Sequence, residues 1–116
     1  MLKHHTISVR HAVDGLIWAL KTQPNYKIHL FLSTLSIFGA FILKISYLEF
    51  LLIVFLITVG LVIETINTGL EQTTDAIDKK IREDIKIAKD VAAAAMLIYA
   101  IGATIIAGMI FLPKIL

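Results

Sequence analysis

The sequence contains no cysteine. That excludes a disulfide framework and a Cys-ligated metal centre, and it leaves the redox compartment unread. Charge of either sign is not in excess. Eleven Lys and Arg stand against nine Asp and Glu, a formal net of +2, so overall charge points to no class of partner. No internal repeat and no low-complexity linker divides the chain. The opening MLKHHTISVRHAVDG lacks an apolar core and a cleavage site, and is expected not to be a signal peptide. What the chain has is apolar residues. They make up 58% of its 116 positions, and the mean hydropathy is +0.84. An ordinary soluble domain carries less. The expectation is one all-α membrane domain over residues 1–116.

Three runs are nearly free of charge. IHLFLSTLSIFGAFIL lies between Lys27 and Lys44. At roughly 1.5 Å per residue it falls slightly short of a bilayer of about 30 Å. Its flanking lysines can snorkel and extend it. A second run begins near Tyr47 and stays apolar from Phe50 to Ile63. The third, Val91 to Pro113, holds 23 residues without a charge. The pattern predicts transmembrane helices over residues 28–45, 47–72 and 89–112. Ahead of them, Val9, Val13, Leu16, Ile17 and Leu20 share one helical face, and Arg10, Asp14 and Lys21 share the other. Trp18 suits an interface. Residues 7–22 therefore read as an amphipathic helix on the membrane surface, ended by Pro24.

The basic residues orient the spans. Lys3, Arg10, Lys21 and Lys27 precede the first span, and Lys79, Lys80, Arg82, Lys86 and Lys89 follow the second. Only Lys44 and Lys114 remain for the opposite side. The asymmetry puts the N-terminus and the 73–88 connection in the cytoplasm.

One stretch conflicts with its apolar setting: VIETINTGLEQTTD, Val62 to Asp75. Glu64, Asn67, Thr68, Glu71, Asp75 and Asp78 follow one another at helical steps of three, one, three, four and three. They form one stripe running from the bilayer into the cytoplasmic interface. Asp75 and Asp78 can be read simply as a helix end in solvent. Glu64 cannot, because apolar residues flank it on both sides and an ionisable group in a span costs a few kcal/mol. Two carboxylates a heptad apart, with an amide between, suit a divalent cation with oxygen ligands and proton removal. The third span opens with AKDVAAAA, which sets Lys89 and Asp90 at or near an expected helix N-terminus, a setting that favours anions. Together these features point to a nucleotide-phosphate and metal site at the membrane surface.

ETINTGLEQTTD closely resembles the signature of the small prokaryotic integral-membrane diacylglycerol and undecaprenol kinases. AKDVAAAAM resembles that family's second block, and KTQPNYKIH its entry to the first span. IFLPK resembles the C-terminus of the undecaprenol kinase branch. The resemblance implies a homotrimer of three-span subunits that phosphorylates a lipid alcohol with ATP and Mg2+. It implies Glu64 as general base, Asn67 as an orienting group and Glu71 as a metal ligand. Lys89 would contact ATP phosphates, with Asp75 and Asp90 supporting the nucleotide. The chain has no P-loop and no protein-kinase glycine loop, so phosphoryl transfer would run on an unrelated scaffold. Two positions depart from the family. Gln23 stands where a metal-sharing Glu is usual, and Lys80-Ile81-Arg82 stands where EYH is common near the base.

Other residues carry less. His4, His5, His11 and His29 lack metal-ligand spacing and read as surface or interface residues. Gly102, Ala103, Ala107 and Gly108 give the third span a small-residue face for close helix packing, and Gly60 can serve the second span in the same way. A transporter or channel subunit is the competing function, since proton-coupled carriers use membrane glutamates. Against it, the stripe lies at the cytoplasmic end of its span and nothing polar continues it through the third. A purely structural membrane protein leaves Glu64 unexplained.

The orientation is open to direct test. Single cysteines introduced at Ser46 and at Lys80 should label from opposite faces of sealed vesicles. Labelling from one face only would remove the second span from this reading.

Overall fold

A computed structural model describes residues 2–80 and 82–116, with side chains from Ser8 onward apart from Ile81; the side chains of His4 and His5 lie outside the described residues. Four helices follow in order: α1 (Leu2–Thr22), α2 (Pro24–Ile42), α3 (Tyr47–Ile77) and α4 (Glu83–Ile115). No strand is present among the described residues.

The breaks between helices have local causes. Pro24 begins α2 in its first turn, where a missing N–H costs nothing. The residue before a proline is pushed out of the helical region, and Gln23 accordingly sits extended at φ −102°, ψ 110°. That single residue separates α1 from α2. The next corner is equally tight. Lys44 takes the left-handed conformation, φ 52°, and the Lys44 and Ile45 amides donate back to the carbonyls of Phe41 and Ala40. Glycine is the usual residue there; a lysine accepts roughly 1–2 kcal/mol of backbone strain. Two residues later Ser46 caps α3. Its hydroxyl accepts from the Glu49 amide at 3.2 Å, and Glu49 Oε1 accepts from the Ser46 amide at 2.9 Å. Glu49 also faces Lys114 Nζ at 3.9 Å, tying the start of α3 to the end of α4.

Both long helices outrun the expected spans. α3 continues to Ile77, because the polar residues after Ile63 recur at helical spacing and do not break the backbone. Thr73 and Thr74 bond back to carbonyls one turn earlier, and Asp78 leaves the helix at φ −160°. α4 begins at Glu83, six residues before Lys89, with Glu83 and Asp84 at the positive end of its dipole. The expected 73–88 connection shrinks to residues 78–82. Helices of 31 and 33 residues are long and apolar enough to cross a membrane. α2 is not among the helices that meet this criterion: it has 19 residues, and Asn25, Lys27 and His29 dilute its first turns.

The packing is inverted relative to a soluble protein. Large apolar side chains face outward along all four helices, Phe31, Phe41, Phe55 and Ile98 among them. Val9, Val13, Leu16 and Ile17, of the apolar face foreseen for the first helix, are exposed as well, as is Trp18, and Leu20 of that face is half-buried. The buried set includes Glu64, Asn67, Thr68 and Thr74. Such an arrangement suits a chain solvated by lipid, where apolar surface needs no cover and polar side chains do.

α3 is the central element and packs on both α2 and α4. Tyr99 of α4 packs against Gly60 of α3, and its hydroxyl donates to the Leu56 carbonyl. A Cβ at Gly60 would sit 2.6–2.8 Å from the Tyr99 ring and hydroxyl. Gly39 of α2 receives Phe111 in the same manner at 3.5 Å. The close-packing role expected of Gly60 is therefore present. Gly102 behaves differently, with open space where its Cβ would stand.

Gly60→Ala should destabilise the α3–α4 contact by about 1–3 kcal/mol through overpacking. Gly15→Ala, in open space on α1, should leave stability unchanged or improved. Thermal unfolding in detergent micelles compares the two; equal midpoints would refute the Tyr99–Gly60 contact.

Candidate active site on the polar face of α3

The stripe on α3 is buried over its inner half. Glu64 is 3% exposed, Asn67 8% and Thr68 5%. Val62, Ile66 and Leu70 occupy the outward face of the same turns. The helix thus turns its polar residues toward its neighbours, and Glu64, Asn67 and Asp75 each meet a polar side chain.

Two side chains of α2 meet Glu64 and its neighbour. Tyr26 is 2% exposed, and its hydroxyl bonds to Thr65 Oγ1. Thr65 Oγ1 donates at 2.6 Å to the Leu61 carbonyl, so Tyr26 is the donor in the first bond. This fixes the rotation of α2 against α3. Three residues on, on the same face of α2, His29 comes to the acid: Nε2 lies 3.7 Å from Glu64 Oε2. The imidazole is 23% exposed and the carboxylate 4%. His29 also lines a groove of about 530 Å³ between α2 and α4, floored by Ile53, Leu56 and Ile57 of α3. The small face foreseen on α4 supplies part of its wall, Ala103, Ala107 and Gly108.

One turn toward the C-terminal end of α3, Asn67 Nδ2 faces Glu71 Oε1 at 3.5 Å. Asn67 Oδ1 is buried and has no hydrogen-bond partner among the described residues. A buried acceptor without a donor costs about 1–3 kcal/mol and marks a place where a donor or cation is wanted. One turn further, Lys89 Nζ of α4 reaches across to Asp75 Oδ1 at 2.5 Å. This pair joins the end of α3 to the start of α4.

The remaining expectations fare unevenly. Lys89 and Asp90 do not stand at a helix N-terminus. α4 starts at Glu83, so both lie in its second turn, where their amides are within the helix. The anion site expected from free N–H groups at Lys89 is withdrawn; its cation remains. Asp90 turns back along its own helix to Lys86, at 2.6 Å. Gln23 Nε2 donates to Thr22 Oγ1 at 3.2 Å. Asp78 is a helix C-cap, with Oδ1 accepting from the Lys80 amide at 2.9 Å and Oδ2 facing Arg82 at 3.6 Å. Arg82 also grips Asp84 with two nitrogens, at 3.2 and 2.8 Å. Tyr26 and His29 were not singled out from the sequence as site residues. Their spacing of three, on the face opposite the lipid-exposed Phe31 and Leu35, was the available signal.

No group of three or more His, Asp and Glu side chains able to hold a metal occurs among the described residues. The donors present are one partly open carboxylate, Glu71, beside the unpartnered Asn67 oxygen. That set does not fit an all-protein cage. It fits Mg2+, which keeps several waters and takes one or two carboxylates together with phosphate oxygens.

The chain matches the family model described as prokaryotic diacylglycerol kinase over residues 10–111. Among curated proteins, it is 34% identical over 111 residues to a diacylglycerol kinase of Synechocystis sp., covering 95% of this chain and 63% of that protein. It is 33% identical over 105 residues to an undecaprenol kinase of Bacillus subtilis, covering 90% of this chain and 85% of that protein. The chain thus spans somewhat less than two thirds of the first relative's length and most of the second's.

The start of α4 decides where Lys89 points, and its charge cluster is testable. The Arg82 side-chain bonds hold the Asp84 carboxyl below its usual value of 3.8, and the Ile85 amide adds to this. A lowered folded value means that the contribution is complete above the ordinary Asp range and is lost as pH falls through the lowered value. Carboxyl-carbon NMR in micelles should give Asp84 a midpoint below 3.8. Arg82→Gln should raise it; an unmoved midpoint would dissolve the cluster.

Proposed function

Since the chain belongs to the prokaryotic diacylglycerol kinase family, we propose that it transfers the γ-phosphoryl group of MgATP to the hydroxyl of a membrane lipid alcohol. The site is the cytoplasmic face of a bacterial plasma membrane. The single observation that carries the reading is the buried polar face of α3, Glu64 to Glu71, continued by the Lys89–Asp75 pair. Neither comparison supports the alternative of a transporter or channel subunit.

In this reaction Glu64 is the general base for the lipid hydroxyl. Its burial suits a group that must take one proton and exclude water from the phosphoryl donor. Asn67 orients the reacting groups with its free Oδ1. Glu71 is the protein's carboxylate for Mg2+, and the metal, when bound, supplies charge neutralisation along the phosphates. Lys89 exchanges Asp75 for ATP phosphate oxygens. Asp75 and Asp90 then border the nucleotide, each already beside a lysine. Gln23, a neutral amide, adds at most a weak metal contact.

The lipid alcohol is undecaprenol in preference to diacylglycerol. The support is the KTQPNYKIH and IFLPK segments and the fuller coverage of the Bacillus undecaprenol kinase. α2 serves as the third span beside α3 and α4, with Lys27 and Lys44 snorkelling at its ends. The N-terminus is cytoplasmic, α1 rides on the surface, and the subunits form a homotrimer that covers part of the exposed apolar surface.

Glu64→Gln keeps size and hydrogen bonding but cannot accept a proton. Turnover should fall by roughly 100-fold or more, as for loss of a general base, while ATP binding survives. Glu71→Gln should weaken MgATP binding as well as rate. Lipid-dependent ATP consumption in micelles, run with undecaprenol and diacylglycerol side by side, measures both. Near wild-type turnover of Glu64→Gln with every alcohol would refute the assignment of the base.

A further inference from the structure

A base that is 3% exposed faces a second problem after it has taken a proton. It must lose that proton before the next turnover, and little of its surface is open to solvent. Among the described residues one titratable group pairs with it, and that group is not on α3. His29 Nε2 stands 3.7 Å from Glu64 Oε2 and is itself 23% exposed, on the wall of the open groove. A shift of about 1 Å closes the gap to hydrogen-bond length, the usual looseness of a resting site. The other groups around Glu64 are unsuited. Glu71 is a carboxylate occupied with Asn67, and the Tyr26 and Thr65 hydroxyls are committed to each other and to the Leu61 carbonyl.

Building on the kinase reading, we propose that His29 is the proton relay between the buried Glu64 and the cytoplasmic interface. The lipid hydroxyl oxygen forms its bond to the γ-phosphorus while the bond from that phosphorus to the bridging oxygen breaks. ADP leaves with that electron pair, and the hydroxyl proton passes to Glu64 Oε2. Neutral His29, protonated at Nδ1 and free at Nε2, takes the proton from the carboxyl and becomes imidazolium. It then releases the proton to water at the interface, by the exposed Asn25 and Lys27 at the start of α2, and both groups return to their starting forms. The net result is a phosphate monoester, ADP and one proton. His29 lies one to two turns from the polar start of α2, where Asn25 and Lys27 are exposed, so the exit is short. His29 acts through Glu64 and touches no substrate atom in this scheme.

The Tyr26–Thr65 bond is what holds the imidazole there. It fixes α2 against α3 one turn away, on the face that carries His29. A surface histidine placed by chance would not sit on the one acid sealed from solvent.

The test is chemical rescue of the full-length protein in micelles. His29→Ala should lower kcat by about tenfold or more, a small general acid–base contribution, with KM for ATP within twofold of wild type. Free imidazole should restore the His29→Ala rate with saturation, and should leave wild type and Glu64→Gln unaffected. His29→Gln, which fills the site with a side chain that carries no proton, should lose rate without rescue. Full turnover by His29→Ala and His29→Gln overturns the relay. So does a loss in His29→Ala that imidazole does not restore, because that is the mark of a structural residue. An active wild type with either of those outcomes leaves the kinase reading standing. A wild type inactive on every lipid alcohol removes both.

Discussion

A carboxylate sealed among apolar helices is the constraint on which the arrangement depends. Glu64 cannot face lipid, so α3 must turn its polar stripe inward and cover it with α2 and α4. The covering helices then have to approach closely. Gly60 admits the Tyr99 ring one turn before Glu64, and Tyr26 anchors α2 one residue after it. The tight corner at Lys44, with its strained backbone, returns the chain directly from α2 into α3 and keeps the pair in register. Polar burial and close backbone contact are thus one requirement expressed twice.

Much of this was legible in the residues. The periodicity of the stripe defines one face whether or not its helix partners are known, and the structure buries that face at Glu64, Asn67 and Thr68. Pro24 marks the α1–α2 break within one residue. The helix ends in the cytoplasmic connection were less legible. Hydropathy locates the lipid-facing run, but a helix stops where its backbone loses partners. Thr73 and Thr74 are compatible with continuation, and Glu83 and Asp84 favour initiation. Reading the apolar boundary as the helix boundary put Lys89 and Asp90 at an N-terminus they do not occupy. It also left α2 looking as apolar as its partners, whereas its polar first turns keep it apart from them.

His29 was illegible for a different reason. Its spacing of three from Tyr26 marks a face of α2 but not what that face meets. Its meaning comes from a residue 35 positions later on another helix, brought within 3.7 Å by packing. Tyr26 reads as a routine interface aromatic until its hydroxyl is found on Thr65. Contacts of this kind depend on the rotation of one helix about its axis, which periodicity in a single segment does not determine.

The site therefore combines two electrostatic regimes. At the interface, the Lys89–Asp75 pair is about two-fifths exposed on each side, 37% and 40%. A pair in that setting contributes little net stability, because solvent competes with it. For the same reason the pair can open at little cost, which the proposed hand-over of Lys89 from Asp75 to nucleotide phosphates requires. Deeper in, Glu64 has no such freedom. Its surroundings are set before substrate binds, so they need not reorganise when charge moves in the reaction. In the proposed reaction, exchange suits the end that would admit and release a charged nucleotide, and rigidity suits the end where a proton would leave an alcohol. α3 is long enough to carry both, with Glu64 and Asp75 eleven residues apart on one face, about 16 Å of helix rise. A helix that stopped at the apolar boundary would hold the buried acid and lose Asp75, so the backbone continuity past Ile63 is what sets the two on one face.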